Sequence, residues 1–131
     1  MSTRLVHLVI DANDPPELAR FWAAALGWEV EAEEPDEVVV CPSGYDYPDP
    51  AALPLVFVPV PGAKTVKNRV HLDVQAGGGR GEPQEVRWAR VLEAVARLTA
   101  LGATVVREVL QDGVPDHFVM TDVEGNEFCV V

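Results

Sequence analysis

Two cysteines, ten basic residues and the absence of any long apolar run set the first limits on this chain of 131 residues. With only Cys41 and Cys129 a disulfide framework cannot be what holds the fold, and two sulfurs without an export signal read as reduced thiols. A helical membrane span needs about 20 consecutive apolar residues, and no stretch here approaches that. Ten basic residues stand against 21 acidic ones, a formal net charge of −11. Such a surface repels nucleic-acid backbones and anionic lipid, so neither nucleic acid nor membrane is expected as a partner. Met1-Ser2-Thr3-Arg4 leads straight into a strand-like segment without the regions of a signal peptide, and a cytoplasmic location is expected. What is present is ordinary: a hydrophobic fraction of 48% and a charged fraction of 24% suit a single globular domain with a sizeable core.

The most informative stretch is Arg69-Val70-His71-Leu72-Asp73-Val74-Gln75. A strand turns alternate side chains to opposite faces, so Val70, Leu72 and Val74 make an apolar face and Arg69, His71, Asp73 and Gln75 a polar one. A histidine in that polar row is an acid, base or metal ligand available near neutral pH. Elsewhere Leu5 to Ile10 reads as a strand. Asp14 caps a helix that opens on Pro15 and Pro16, carries Leu18, Phe21, Trp22, Ala25 and Leu26 on one face, and stops at Gly27. Strands are expected over 28–32, 38–41 and 55–60, with a proline- and aspartate-rich loop between the last two. After a connector over 61–68 the pattern repeats: strand 69–75, a glycine-rich loop, and a helix defined by Trp88, Val91, Leu92, Val95, Leu98 and Leu101 that stops at Gly102. Strands over 103–109, 117–121 and 126–131 follow, with turns over 111–116 and 122–125.

The halves superimpose in sequence, Val6-His7-Leu8 on Val70-His71-Leu72 and Ala25-Leu26-Gly27 on Ala100-Leu101-Gly102, the glycine-rich run being an insertion in the second. A β-α-β-β-β unit leaves one sheet face uncovered, and pairing two such units would bury it. The expected fold is therefore α+β: one domain, 1–131, of two repeats (about 4–61 and 69–131) forming a curled mixed sheet around a cleft, with the helices on its outer face. His7 and His71 hold equivalent positions in it.

His7 followed by Asp14, the helix ending Phe21-Trp22-Ala23-Ala24-Ala25-Leu26-Gly27, then Arg69-Val70-His71-Leu72-Asp73-Val74, Leu98-Thr99-Ala100-Leu101-Gly102-Ala103 and Asp122-Val123-Glu124-Gly125-Asn126 together cover nearly the whole chain. In this order they resemble the vicinal oxygen chelate superfamily of glyoxalases, extradiol dioxygenases, fosfomycin-resistance enzymes and bleomycin-binding proteins, and most closely its glyoxalase-like subgroup. The resemblance implies a small-molecule partner, a homodimer and, in metal-dependent members, one divalent ion (zinc, manganese, nickel or iron) acting as Lewis acid and template. His7 and His71 match ligand positions on the opening strands. The place of the usual carboxylate ligand, after the turn glycine Gly125, is held by Cys129, with Glu127 two residues earlier on the same strand face. The closing strand of the first half offers Phe57 or Val58 where a ligand is expected.

The metal-ligand set implied is therefore His7, His71, Glu127 and Cys129, with Glu127 and Asp73 as candidate bases and Trp28, Val58 and His117 as pocket residues. Five of these have a plainer alternative: His7 as a hydrogen-bonded core histidine, Cys129 as a small buried hydrophobe, Glu127 as the partner of Arg69 or another base, His117 as a surface histidine, Trp28 as core. Gly77-Gly78-Gly79-Arg80-Gly81 lacks the Gly-Lys-Ser/Thr ending of a phosphate loop and reads as a flexible loop. Two functions follow from the resemblance: a metal-dependent lyase, isomerase or dioxygenase acting on a vicinal-oxygen substrate, or a metal-free protein that sequesters an antibiotic or other ligand, as bleomycin-resistance proteins do.

Overall fold

The computed structural model describes residues 2–131; Met1, where the reading of the amino terminus starts, lies outside the described residues. The chain forms two compact units, Met1–Ala63 and Lys64–Val131. In the first, β1 (Leu8–Ala12) leads to α1 (Pro15–Leu26), β2 (Glu29–Glu34), β3 (Glu37–Cys41) and β4 (Leu55–Pro59). In the second, β5 (Leu72–Val74) leads to α2 (Gln84–Ala100), β6 (Thr104–Gln111), β7 (Val114–Thr121) and β8 (Glu127–Val130).

The single curled mixed sheet around a cleft is overturned by the strand pairing. There are two four-stranded sheets, β1-β4-β3-β2 and β5-β8-β7-β6, each built from one unit and neither closed. The reason lies in the order: the last strand of each unit inserts between its first and third, pairing in parallel with the first and antiparallel with the third. That satisfies the inner strands within the unit and leaves the sheet open at both edges. Each helix covers one face of its own sheet.

α1 forms as its punctuation dictates. The Asp14 side chain accepts a hydrogen bond from the Glu17 N–H at 3.2 Å, prolines occupy the first turn, and Gly27 at φ 67° ends the helix in a left-handed turn. Its buried face, Leu18, Phe21 and Trp22, packs with Val38, Val40, Leu55 and Phe57 of β3 and β4. In the second unit Val91, Val95 and Leu98 face Met120, Phe128 and Val130, and Trp88 stacks on Phe118 at 5.2 Å.

Several boundaries differ from the periodicity. β1 begins at Leu8 because its ladder begins there, Leu8 N–H donating to the carbonyl of Pro54, and Leu5 is left exposed. β5 keeps only three residues of the expected seven-residue strand, and Val70 is 70% exposed rather than part of an apolar face. At its start the Asn68 N–H is spent on the Glu127 carboxylate instead of a ladder. β7 begins at Val114, because Asp112 (φ 52°) and Gly113 (φ 78°) make a two-residue turn of the kind that continues a hairpin ladder on both sides. α2 starts at Gln84, one turn before Trp88.

Phe57 is fully buried under α1. Its replacement, Phe57→Ala, is expected to cost about 3–5 kcal/mol, read as a lowered urea midpoint with unchanged slope.

Candidate metal centre of the second unit

β5 and β8 run parallel in a register that sets Asp73 beside Cys129 and Cys129 beside Val119 of β7. Registered neighbours point to the same side of a sheet, and residues two apart on a strand share that side. Leu72, Val74, Phe128 and Val130 fall on the side covered by α2, so His71, Asp73, Glu127, Cys129, His117 and Val119 fall on the other. His71, just before β5, continues the alternation. One ring nitrogen of His71, one carboxylate oxygen of Asp73 and the sulfur of Cys129 all lie within 4.8 Å of one another. His71 Nε2 is 3.2 Å from Asp73 Oδ1. The histidine and aspartate are exposed, whereas Cys129 is buried beneath them. Burial pushes the Cys129 thiol up, the charge of Asp73 and a hydrogen bond to it push the same way, and Arg107 and Lys67 pull weakly against them.

Glu127 is occupied differently. Its Oε2 lies 3.0 Å from Lys64 Nζ and accepts the Asn68 N–H at 3.0 Å, while the Asn68 side-chain amide donates to the Glu127 carbonyl. Burial alone would raise this carboxyl, but the Asn68 N–H and the Lys64 ammonium outweigh it and hold Glu127 below its ordinary value. Its partner is Lys64, from the connector, and not Arg69.

His7 belongs to the first unit, exposed, its ring stacked on Tyr47 at 5.3 Å. It lines a pocket of about 390 Å³ with Glu31, Val39, Tyr45, Asp46, Tyr47 and Pro54. The Trp28 backbone N–H donates to the Ala23 carbonyl at the end of α1, and the residue is half-buried; Val58 is half-buried in β4 opposite Asp11.

The periodicity gave no notice of Arg87 and Asp116. Arg87 is 7% exposed, on the inner side of α2. Its Nη1 donates to the Asp116 carbonyl at 3.0 Å and its Nη2 to Gln84 Oε1 at 3.2 Å. Asp116 Oδ1 accepts from Arg80 Nη1 at 3.1 Å, and Oδ2 lies 2.8 Å from His117 Nδ1. The hydrogen bond with His117 lowers the Asp116 carboxyl most; burial opposes it, and the Arg80 guanidinium adds to the lowering. Asp73, Gln75, Arg80, Arg87, Asp116 and Val131 border a pocket of about 230 Å³, which therefore touches both the three-residue cluster and this network. The one legible sign was an arginine at a position that helical spacing turns inward.

Each unit runs β-α-β-β-β with its first and last strands paired in parallel, the module order expected of the vicinal oxygen chelate superfamily, and in the second unit a nitrogen, an oxygen and a sulfur donor converge beside that pair. The family model of the glyoxalase-like domain matches residues 7–131, and the chain belongs to that family. No curated protein sequence matches it. Among solved structures it is similar to a glyoxalase/bleomycin resistance protein/dioxygenase family enzyme from Burkholderia phytofirmans PsJN, at 16% identity and TM-score 0.69 over 98% of this chain and 97% of that one. It is also similar to the genomically encoded fosfomycin resistance protein FosX from Listeria monocytogenes, solved with Mn(II) and sulfate, at 17% identity and TM-score 0.68 over 99% and 90%. A hypothetical protein, SA1046 from S. aureus, aligns at 14% identity and TM-score 0.67 over 99% and 94%. At such identities the likeness is one of fold. Among the described residues no helix is long and apolar enough to cross a membrane.

Glu127 and Asp116 are both held below their ordinary values, so each contributes stability that is complete above the unfolded-state value and is lost as pH falls through the folded one. Acid titration of the folding free energy should fall from the ordinary carboxylate range downward. Glu127→Gln should be less stable at neutral pH and show a shallower acid limb.

Proposed function

We propose that this protein is a metal-dependent enzyme acting on a small oxygenated molecule, with His71, Asp73 and Cys129 holding one divalent ion. The observation that carries this is the convergence of three donor atoms within 4.8 Å. That spacing suits ligands each about 2.0–2.3 Å from a shared ion, and an N, O, S set favours zinc. When bound, the ion supplies a Lewis acid that polarises a substrate oxygen and a template that orients it. Asp73 accepts from His71 and from the thiol in the absence of a ligand, so the three side chains are already drawn together. Cys129 must give up its proton to act as a donor, and its burial beside Asp73 opposes that, so affinity rises with pH. Glu127, paired with Lys64 and Asn68, fastens the connector to β8 and stays ionised. The pocket bordered by Asp73, Gln75 and Arg80 gives the substrate a polar wall next to the ion.

Titration with zinc, and with cobalt as a spectroscopic probe, should show one ion per chain and a thiolate-to-cobalt charge-transfer band. Cys129→Ser should remove the band and lower affinity by about two orders of magnitude, a ligand's share of a zinc site. No binding of either ion at alkaline pH would end this reading.

The second reading, a metal-free binding protein for cationic molecules, is favoured by the pocket in the first unit. There the stacked His7 and Tyr47 rings and Tyr45 provide aromatic surface, and Glu31 and Asp46 provide negative charge. A melting screen against cationic aromatic antibiotics is expected to give a stabilisation that fades with salt and disappears in Tyr47→Ala. Stabilisation that survives Tyr47→Ala would count against this pocket.

A further inference from the structure

The second unit holds a pocket of about 420 Å³ that the metal centre does not use. The glycine-rich loop, the first turn of α2 and the β6–β7 turn border it, and none of His71, Asp73, Cys129 and His117 does. Its volume is at the small end of the range for small-molecule sites.

The charges of its wall do not cancel locally. On the loop and helix side, Arg80 and Arg87 share one carboxylate: Arg80 Nη1 lies 3.1 Å, and Arg87 Nη2 3.8 Å, from the same Asp116 Oδ1. Two guanidinium charges against one carboxylate leave one positive charge over. Arg87 cannot offer it outward, because its side chain is only 9% exposed and its donors go to the Asp116 carbonyl and Gln84 Oε1. Arg80 can. Its side chain is 77% exposed and gives one N–H to Asp116, so most of a five-donor fork is open to an anion. On the hairpin side, Asp112 is exposed at φ 52° and forms no ion pair among the described residues. Glu82, the third acid of the wall, is taken by Arg90 at 3.2 Å. One open cation and one open anion therefore face the same pocket without pairing with each other. A purely anionic ligand would be opposed by Asp112 and by the net charge of −11, and a purely cationic one by Arg80 and Arg87. A molecule carrying a carboxylate and an ammonium satisfies both.

We propose that this pocket binds a small zwitterion of the amino-acid class, its carboxylate on Arg80 and its ammonium on Asp112. Val114 and Pro115, which also border the pocket, give its side chain an apolar wall. Asp116, fixed by Arg87, holds Arg80 in position. The site needs no metal and stands apart from the reading of His71, Asp73 and Cys129.

Titration of the ¹⁵N-labelled protein with the common amino acids, one at a time and up to tens of millimolar, tests it. At least one should move the backbone amide signals of Arg80, Gln111 and Asp112 saturably. Propionate and propylammonium, which carry one charge each, should bind at least about tenfold more weakly, as should the variants Arg80→Gln and Asp112→Gly toward the amino acid. Both variants should keep a folded spectrum, since the two side chains are exposed and glycine suits φ 52°. No saturable shift with any amino acid, propionate or propylammonium binding as tightly as the amino acid, or binding undiminished in either variant would each overturn the proposal.

Discussion

A parallel strand pair can be joined only by a crossover, and in each unit that crossover carries a helix and two strands before the chain returns to lie beside its own beginning. In the second unit the returning pair is very short. β5 has three residues, and such a ladder needs fastening at both ends. At one end Asn68 grips Glu127 with backbone and side chain. At the other, the N–H groups of Ala76 and Gly77 both reach the Val131 carbonyl, and the Val131 N–H reaches Val74. These clamps fix the register, and a slip of one residue would turn every side chain of the strand to the opposite face. The approach of His71 and Asp73 to Cys129 is thus a property of the register, and so is every chemical role assigned to that face.

The charges of this unit are arranged around the same constraint. Burying Arg87 costs several kcal/mol unless its donors are met. They are met by Asp116 and Gln84, and among the described residues no buried side-chain nitrogen or oxygen lacks a partner. The arginine stem fits only because residue 77 is glycine: a Cβ there would collide with Arg87 Cγ. Gly78, at φ 87°, similarly leaves room for Arg90, which binds the Gly77 carbonyl. The glycine-rich insertion is thereby explained as the cover over two arginines of α2. The Gly77 carbonyl of this loop is turned to a cation, Arg90, which is the reverse of what a phosphate loop requires.

What the sequence made legible was local. Helical spacing with Asp14 and Gly27 at its ends defined α1, and period-two alternation put His71 and Asp73 on one face. The motif order pointed to the family. Register was out of reach, because it depends on pairing between residues far apart in the chain; Asp73 was read as a base and Cys129 as a ligand without a reason to set them side by side. The same distance hid Lys64 and Asn68, connector residues that claim Glu127, and Tyr47, a loop residue that stacks on His7. The curled sheet failed for a related reason. The pattern counted strands correctly but could not say that each fourth strand would insert between the first and third of its own unit, leaving each sheet open. Arg87 was missed because a charge at an inward helical position reads as a gap in the apolar stripe until its partner, Asp116 on β7, is seen.

The two units also show what a histidine at the head of the first strand does and does not supply. In sequence His7 overlies His71, so that Val9 overlies Asp73. In the first sheet Val9 is registered with Val56, and in the second Asp73 is registered with Cys129. The backbone geometry that gathers three donors in one unit therefore gathers an imidazole and two valines in the other. With no acid two residues on and no sulfur across the ladder, His7 turns to an aromatic ring instead. What gathers beside the histidine in each unit is decided by position i+2 and its registered neighbour. Placing an aspartate at Val9 and a cysteine at Val56 would ask the first unit for the same donor set, and Val56, which is buried as Cys129 is, already occupies the right kind of site for the sulfur.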